Sequence, residues 1–516
     1  MIKSSEYENN KRIAKNTLYM YFRMLITLFV SLFTTRIVFN ALGVDNYGIY
    51  NIVGSIIVFF SFINNGLVTA TRRYITAELA TGTPESKNNV FNLAMFSHAL
   101  VCLAILVFSE TIGLWIVNHF LNIPNDRLFS ANVVYQVSVF TAIFGVFQAP
   151  YMAIITAYEK MSVFAYFSIL DVSFKLLVAF LILQASCDKL IYYAILMMAV
   201  AVINQSIYRI YCHHKFEECK FRRPHNKSLL KEMFGFMGWS LAGQGAVVFT
   251  NQGVSVLINV FFNVAVNAAM GVSNQITNVV SGFVTNFQTA FMPQITKLYV
   301  KNEIEEMTRL AIRSSRFSSF LVIIFMFPIF FQIRNFLSIW LGNYPEYVVE
   351  FCVLTLIGLL IDSMSAPLWM ILGSDKNIRK YQIVISTIYS FNFFGTWALF
   401  ALGFSPYIAL VVRIVVYAVS TIARLLLVRE KVCSFSIVRW LRCVWLNAII
   451  VITIPVFLVL VLKGFSIDNQ YVELVVNGAM MALISIVSVY LLGLTSNERV
   501  FFNNKISMFL KRLKNV

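Results

Sequence analysis

Charged residues are scarce in this chain: Asp, Glu, Lys and Arg make up 13% of its 516 residues, whereas 59% are hydrophobic. A mean hydropathy of +0.75 exceeds what a soluble chain of this length needs to bury one core, which excludes the soluble globular classes. Acidic residues are scarcer than basic ones, with 24 Asp and Glu against 41 Lys and Arg. The basic residues lie in short segments between apolar runs, so the positive-inside rule explains the net charge of +17, and we predict no nucleic-acid partner.

Cysteine and histidine are also few. The seven cysteines are odd in number and lie mostly in or beside apolar runs, so no disulfide framework is indicated. Cys212, His213, His214 and Cys219 fall in or beside a basic loop at about residues 212–233, but their spacing fits no standard zinc site. We therefore read this loop as a solvated, charged segment and predict neither a metal nor a cofactor.

Long loops are absent as well. The longest predicted outward connections, residues 118–130 and 334–347, are too short to fold as a separate soluble domain. The first apolar run has full spanning length and no small-residue cleavage site, so a cleaved signal peptide is not predicted. Short outer loops with few acids and histidines leave an enzyme little space for catalytic groups, and we predict that the protein is not an enzyme.

What the chain does contain is apolar runs, and about 20 residues of helix cross a bilayer. Fourteen spans are predicted, at residues 17–38, 47–68, 91–117, 131–156, 164–184, 190–211, 234–259, 267–292, 317–333, 348–372, 382–402, 407–428, 444–462 and 472–493. Nearly all loop Lys and Arg residues then fall on one side, which places both termini in the cytoplasm. The predicted fold is an all-α polytopic membrane protein.

The two halves of the chain repeat. The segment APYMAIITAYEK (149–160) returns about 220 residues later as APLWMILGSDK (366–376), and Gly48 corresponds to Gly271. The shift equals six spans, an even number, so both halves enter the membrane in the same sense. We predict an N-terminal six-helix lobe (1–220), a parallel C-terminal six-helix lobe (221–430) and two added helices with a basic tail (431–516).

The first span carries an arginine that needs explanation. An arginine within a span costs roughly 2.5–3.5 kcal/mol or more unless it faces protein or water. Arg23 shares one helix face, within about 80°, with Thr27, Ser31 and Thr34. Arg36 lies elsewhere, near the end of the span, where it can extend to the interface. Arg23 is therefore predicted to face a wet interior and to bind substrate.

Three further spans carry polar stripes at helical spacing. Span 8 has Asn267, Asn274, Asn278, Ser281, Thr285 and Gln288; span 7 has Ser240, Gln244, Asn251 and Ser255; span 2 has Asn51, Ser55, Asn65 and Thr69. Such residues also join helices to one another, at about 0.6 kcal/mol each. Because the stripes recur in corresponding spans, we predict a water-filled cavity. The candidate substrate-binding amides are those of Asn51, Asn65, Gln244, Asn251, Asn274 and Asn278.

Four further charges within predicted spans need to be placed. Asp171 and Lys175 are one helical turn apart and form either a self-compensating pair or part of the site. Asp362 and Arg413 have no partner on their own spans; Arg413 either pairs with Asp362 or faces the cavity beside Arg23. We name Lys175 and Arg413 as candidate substrate-binding residues, and Asp171 and Asp362 as candidate coupling residues. Within the spans as a whole, cationic residues outnumber acidic ones, which favours an anionic substrate.

The passages RIVFNALGVDNYGIYNIVGS and QAPYMAIITAYEKMSVFAYFSILDVSFKLL, within a plan of six, six and two spans, resemble bacterial polysaccharide and O-antigen flippases of the multidrug/oligosaccharidyl-lipid/polysaccharide (MOP) exporter superfamily. The resemblance covers the whole chain through loose hydrophobic patterns. It implies MATE-like lobes and flipping of an undecaprenyl-pyrophosphate-linked oligosaccharide across the inner membrane by alternating access. The resemblance implies one residue role in this chain: a cationic residue in the inner half of span 1. Arg23 matches that role.

The implied partners are the lipid-linked oligosaccharide, membrane lipids and other polysaccharide-assembly membrane proteins, with the chain acting as a monomer. Three alternatives stay open. Two share the fold: a cation-coupled multidrug exporter, which needs a carboxylate in its path, and a flippase for a lipid-linked peptidoglycan precursor. The third is a membrane polysaccharide polymerase.

Overall fold

A computed structural model describes residues 23–56, 71, 75, 78, 83–158, 160–222, 248–289, 291, 294, 295, 298, 299, 301–374, 379–461, 468–500 and 503. Within these ranges the regular secondary structure is helical and includes no β-strand. Eleven helices in this part of the chain are long and apolar enough to cross a membrane. The predicted all-α polytopic class is confirmed.

The helices follow the predicted spans closely. The first seven are α1 Arg23–Ile56, α2 Pro84–Phe120, α3 Leu128–Ala157, α4 Met161–Leu183, α5 Lys189–Lys215, α6 Val248–Phe261 and α7 Val264–Thr289. The next seven are α8 Ile304–Phe331, α9 Ile333–Leu341, α10 Val348–Ser374, α11 Arg379–Ala401, α12 Ile408–Lys431, α13 Ile437–Val461 and α14 Gln470–Gly493. Each predicted span overlaps one of these helices because hydropathy and spanning length fix the position of a membrane helix.

Side chains cap the N-termini of several helices. Thr83 accepts a hydrogen bond from the backbone amide of Ser86 at 3.2 Å, and Pro84 occupies the first turn of α2. The side chain of Asn469 accepts from the amides of Tyr471 and Val472 at the start of α14. These side chains satisfy amides that have no acceptor within the helix.

The connection between the first two predicted spans is a bend rather than a loop. Helical structure runs from Arg23 to Ile56, and Gly43 within it has φ of +76°. The rings of Phe39 and Tyr47 lie 5.2 Å apart. Eight residues of straight helix would separate them by about 12 Å, so the chain turns at Gly43. A left-handed φ costs glycine little, which explains glycine at the turn.

A second difference concerns the outward connection at residues 334–347, predicted as a loop. Residues Ile333–Leu341 form α9, a short helix. Ile333, Leu337, Trp340 and Leu341 are buried at spacings of four, three and one, which places one apolar face against the protein. A nine-residue amphipathic helix is too short to be predicted as a membrane span. Its apolar face is detected only by the helical spacing of its apolar residues.

The chain divides into two compact units. Unit 1 takes in residues Met1–Val272, Pro345–Tyr347 and Tyr389–Pro406, and unit 2 takes in Ser273–Tyr344, Val348–Ile388 and Tyr407–Val516. Two of the boundaries fall within α7 and α11, and the others lie between helices. The division into lobes 1–220 and 221–430 with a terminal pair remains a prediction.

Within unit 1, α1 and α7 approach closely at two glycines. A Cβ on Gly48 would lie 2.0 Å from the carbonyl oxygen of Val264, and a Cβ on Gly271 would lie 2.7 Å from the side chain of Asn51. Neither space admits a side chain. Gly48 and Gly271 are the pair matched by the sequence repeat, so both copies of the motif mark close approach of helices.

Within unit 2, a buried ion pair joins α8 to the segment after α14. Arg316 donates to Glu498, and their side chains are 10% and 11% exposed. Arg313 lies 3.6 Å from the same carboxylate. This pair was not predicted from the sequence. Removing one member of a buried pair typically costs 3–5 kcal/mol, so this contact helps to hold the last helices in place.

Candidate substrate-binding centres

Arg23 lies at the first described residue of α1 and contacts α4. Its guanidinium donates to the hydroxyl of Ser168 at 3.4 Å and lies 5.0 Å from the ring centroid of Phe164. Its Nε is buried and has no hydrogen-bond partner among the described residues. A neutral hydroxyl and an aromatic face orient a cation without neutralising it. Among the described residues, neither of these contacts neutralises the charge of Arg23.

The same face of α4 carries a second cation. Phe164, Ser168, Asp171 and Lys175 follow at intervals of four, three and four residues, within about 60° on the helix. Lys175 and Asp171 form the ion pair that their spacing predicts, at 2.7 Å. Asn204 of α5 donates to the other carboxylate oxygen of Asp171 at 2.5 Å, a partner that sequence analysis did not identify.

These groups form what we call the unit 1 centre: Arg23, Ser168, Asp171, Lys175 and Asn204. Two cations and one carboxylate give it a net charge of +1. The side chains of Lys175 and Asp171 are 40% and 29% exposed, so the pair is not sealed in a core. One face of α4 thus carries the contacts of Arg23 and a partly exposed lysine.

Asp362 of α10 was predicted to have no partner on its own span, and it has a cationic partner on another helix. Arg424 of α12 lies 3.3 Å from it. Arg424 also donates to the hydroxyl of Ser365 and hydrogen-bonds with Tyr381 of α11. Sequence analysis did not consider Arg424, although it lies within the predicted span 407–428. The signal that identifies it is its spacing of eleven residues from Arg413, which places both on one face of the helix.

Arg413 lies three turns before Arg424 on α12, at a rise of about 16 Å. It is half-buried, and its Nε is buried without a hydrogen-bond partner among the residues that the structure describes. Tyr417 lies between the two arginines and packs over Gly358 of α10, at 3.5 Å from the position of a Cβ there. We call Asp362, Ser365, Tyr381, Arg413 and Arg424 the unit 2 centre. It also has two cations and one carboxylate.

The predicted stripe on α7 divides into packed ends and an exposed middle. Asn267 at one end is buried and hydrogen-bonded with Ser255 at 3.1 Å. Gln288 at the other end is buried and donates to Ser318 at 3.0 Å. Asn274 and Asn278, between them, are exposed. The ends therefore join helices, whereas the middle amides are not buried in packing.

The remaining predicted amides differ in position. The Asn51 side chain donates to the carbonyl of Tyr47 at 2.8 Å and lies against Gly271, so it takes part in helix packing. Asn251 on α6 is half-buried. Asn65 and Gln244 lie outside the described residues.

The cysteines near the end of α5 lie in an apolar core. Cys212 and Cys219 are both buried, within a cluster that includes Tyr151 and Phe216. A hydrogen bond with Cys212, together with burial, raises the pKa of the Cys219 thiol. A thiol held in its protonated form is a poor metal ligand. No group of three or more His, Cys, Asp or Glu suited to a metal occurs in the described part of the chain.

No protein-family model matches the sequence, and no curated protein matches it. Several solved structures, in contrast, match the fold of this chain. Lipid II flippase MurJ, in an inward closed conformation, aligns with a TM-score of 0.66 at 16% identity, over 92% of this chain and 99% of that one.

Two transporters of the MOP superfamily align over most of their length as well. An inward-facing multidrug resistance MATE transporter gives a TM-score of 0.63 at 12% identity, over 79% of this chain and 95% of that one. A transporter from Pyrococcus furiosus gives 0.59 at 12% identity, over 81% and 96%. The chain has the fold of MOP-superfamily transporters.

Proposed function

We propose that this protein is a transporter that flips an undecaprenyl-pyrophosphate-linked oligosaccharide, an O-antigen or capsule or exopolysaccharide repeat unit, from the cytoplasmic to the outer leaflet of the bacterial inner membrane. The observation that carries the proposal is the net positive charge of both centres within helices of spanning length. Isolated charges are costly there, so cations in excess of acids are retained for an anionic ligand. Guanidinium groups bind phosphate oxygens in bidentate geometry.

The three chemical parts of the substrate each have a counterpart. The diphosphate matches Arg23 of the unit 1 centre. The sugars match exposed amides such as Asn274 and Asn278. The polyprenyl tail needs only lipid, which surrounds any helix that crosses a bilayer. Transport by alternating access and action as a monomer, with both termini in the cytoplasm, belong to the same proposal.

The likeness to a lipid II flippase favours a second candidate, a flippase for a lipid-linked peptidoglycan precursor. Its head group has the same diphosphate chemistry, so the two centres do not distinguish it. A cation-coupled drug exporter needs a carboxylate able to take up sodium or protons. Asp171 and Asp362 are both engaged by cationic side chains, which weakens that alternative. The polymerase alternative draws no support from the two centres, whose groups suit binding of an anion.

Deletion of the gene followed by lipid analysis tests the proposal. We expect an unaltered undecaprenyl-linked oligosaccharide to accumulate in the membrane while the matching surface polysaccharide is lost. Its glycan names the substrate, and accumulation of a peptidoglycan precursor would instead select the second candidate. A polymerase would show itself by a change in glycan length. If no lipid-linked glycan accumulates in a strain that synthesises it normally, the proposal is wrong.

A further inference from the structure

We infer that Arg424 is a second diphosphate-binding residue and that Asp362 is its resident counter-ion, which the diphosphate displaces. This inference rests on the proposed function and adds to it a named site within unit 2. The chemistry recognised is a phosphate or diphosphate group.

The two members of the pair differ in burial. The side chain of Arg424 is 7% exposed and that of Asp362 is 36% exposed. Arg424 is also held by Ser365 and Tyr381, from α10 and α11. The guanidinium is therefore the buried and more firmly held member of the pair, while the carboxylate is the more exposed one.

The contact between them is loose for an ion pair. The guanidinium nitrogen and the carboxylate oxygen are 3.3 Å apart, whereas charge-assisted hydrogen bonds are typically about 2.7–2.9 Å. Ser365 and Tyr381 carry no charge, so the buried guanidinium still requires an anion nearby. The carboxylate supplies one when substrate is absent, and a phosphate group is able to take its place.

Arg413 extends the site along α12. The two arginines share one helix face but lie about 16 Å apart, too far for one diphosphate to contact both. The predicted cytoplasmic position of Arg429 places Arg424 towards the cytoplasmic end of α12 and Arg413 towards the outer end. A diphosphate that crosses the membrane therefore meets the two arginines in succession.

A purely structural ion pair predicts different behaviour. If Asp362 and Arg424 only join α10 to α12, loss of either member harms folding, and neutralising both restores it. If Asp362 competes with substrate, its loss strengthens diphosphate binding whereas loss of Arg424 weakens it. The two single variants thus have opposite effects on binding.

The test uses purified full-length protein in lipid nanodiscs, carrying Arg23→Ala to remove the unit 1 arginine. Inorganic pyrophosphate is titrated by calorimetry, and geranylgeranyl pyrophosphate in a parallel titration shows whether a lipid tail adds to affinity. In this background we compare Asp362→Asn, Arg424→Gln and the double variant Asp362→Asn/Arg424→Gln. Glu430→Gln is the matched control, because it removes one carboxylate, from an exposed pair with Lys380, and gives the same change in net charge.

We expect Asp362→Asn to tighten pyrophosphate binding about tenfold and Arg424→Gln to weaken it about tenfold, with little change for Glu430→Gln. The double variant leaves neither charge of the pair without its partner, so it can be tested even if Arg424→Gln alone does not fold. It should bind pyrophosphate as weakly as Arg424→Gln. Unchanged or weaker binding by Asp362→Asn overturns the inference, as does a double variant that binds like its parent. Either result leaves the lipid accumulation expected of the deletion strain untouched, so the site and the function fail separately.

Discussion

The backbone amide of Asn122 donates to the side-chain oxygen of Asn259 at 2.7 Å, and the Asn122 side chain donates to the carbonyl of Phe262 at 3.1 Å. These contacts join the connection before α3 to the end of α6, which belong to different copies of the predicted repeat. In the same unit, the hydroxyls of Ser55 and Ser255 lie 3.1 Å apart. Because Asn122 is predicted to lie outside, we propose that these bonds close the outer side of unit 1 and break during transport.

The first prediction is that cysteines at Ser55 and Ser255 will form a disulfide that arrests transport. A disulfide requires Cβ atoms about 3.5–4.5 Å apart, which hydroxyls at 3.1 Å allow. In a background without native cysteines, the double variant should lose surface polysaccharide on oxidation and regain it with reductant. Neither single cysteine should respond. Normal polysaccharide with the disulfide fully formed would show that this contact need not open.

The second prediction concerns topology, and the chain supplies a matched pair of probes. Cys187 and Cys433 are both exposed native cysteines, predicted to lie outside and in the cytoplasm respectively. In variants that retain only one of them, an impermeant maleimide added to intact cells should label Cys187 and not Cys433. Permeabilised cells should label both. The reverse pattern would invert the orientation and the direction of transport.

The third prediction uses the exposed middle of the α7 stripe. Asn274→Leu and Asn278→Leu should impair transport with little loss of folded protein, about 0.5 kcal/mol or less, because exposed side chains contribute little to packing. Val279→Leu is the control, since Val279 is half-buried. Val280 is 1% exposed and less suitable, because an added methylene in a packed core typically costs about 1–3 kcal/mol. If the membrane abundance of Asn274→Leu falls, the polar residues of α7 serve to pack helices rather than to bind substrate.

The helices were predictable because spanning length and hydropathy act locally. The predicted span 348–372 and the observed helix Val348–Ser374 differ by two residues at one end. The bend at Gly43 was not predicted as such, because a glycine with positive φ leaves no trace in hydropathy. The helix period also identified the exposed positions Asn274 and Asn278.

Contacts between distant parts of the chain were not predictable. Glu498 pairs with Arg316 across 182 positions, and no spacing rule links them. Arg424 lies near the end of its predicted span, where a basic residue normally reaches the interface, so its pairing with Asp362 is visible only once α10 and α12 are packed together. The sequence therefore indicated which helices carry charge but not which charges meet.

The start of α5 gives a pH-dependent contribution to stability. Partial burial acts to raise the pKa of Asp188, but hydrogen bonds from Ser130 and from the amides of Leu190 and Ile191, together with the charge of Arg127, outweigh it and lower the pKa. A lowered pKa in the folded state means that this stabilisation is present above the unfolded value, about 3.9, and is lost as pH falls through the folded value.

The fourth prediction follows. At pH 7, Asp188→Ala should lower stability by about 1 kcal/mol, because it removes the side chain that accepts from the Leu190 amide at the start of α5. Asp188→Asn keeps that acceptor and should lose less, since the pair with Arg127 is half exposed and screened. The differences should shrink below about pH 4. Thermal unfolding of purified protein across this range measures them, with the exposed Asp126→Asn as control. A gap between wild type and Asp188→Ala that widens on acidification would contradict the assignment.

The last prediction concerns Arg23. Its contacts among the described residues are the hydroxyl of Ser168 and the ring of Phe164, both neutral, so Arg23→Ala orphans no acid there and should leave membrane abundance near normal. Loss of hydrogen bonds to a charged group costs about 1.5–3 kcal/mol, so transport should fall roughly 10- to 100-fold. Arg23→Lys keeps the charge without the planar fork and should retain partial activity. Ser168→Ala, which disturbs only the orientation of Arg23, should have a smaller effect. Membrane abundance and surface polysaccharide, measured together, separate an effect on transport from an effect on folding. Full surface polysaccharide at normal abundance of Arg23→Ala would remove Arg23 from the mechanism. Low abundance of Arg23→Ala would make its role structural.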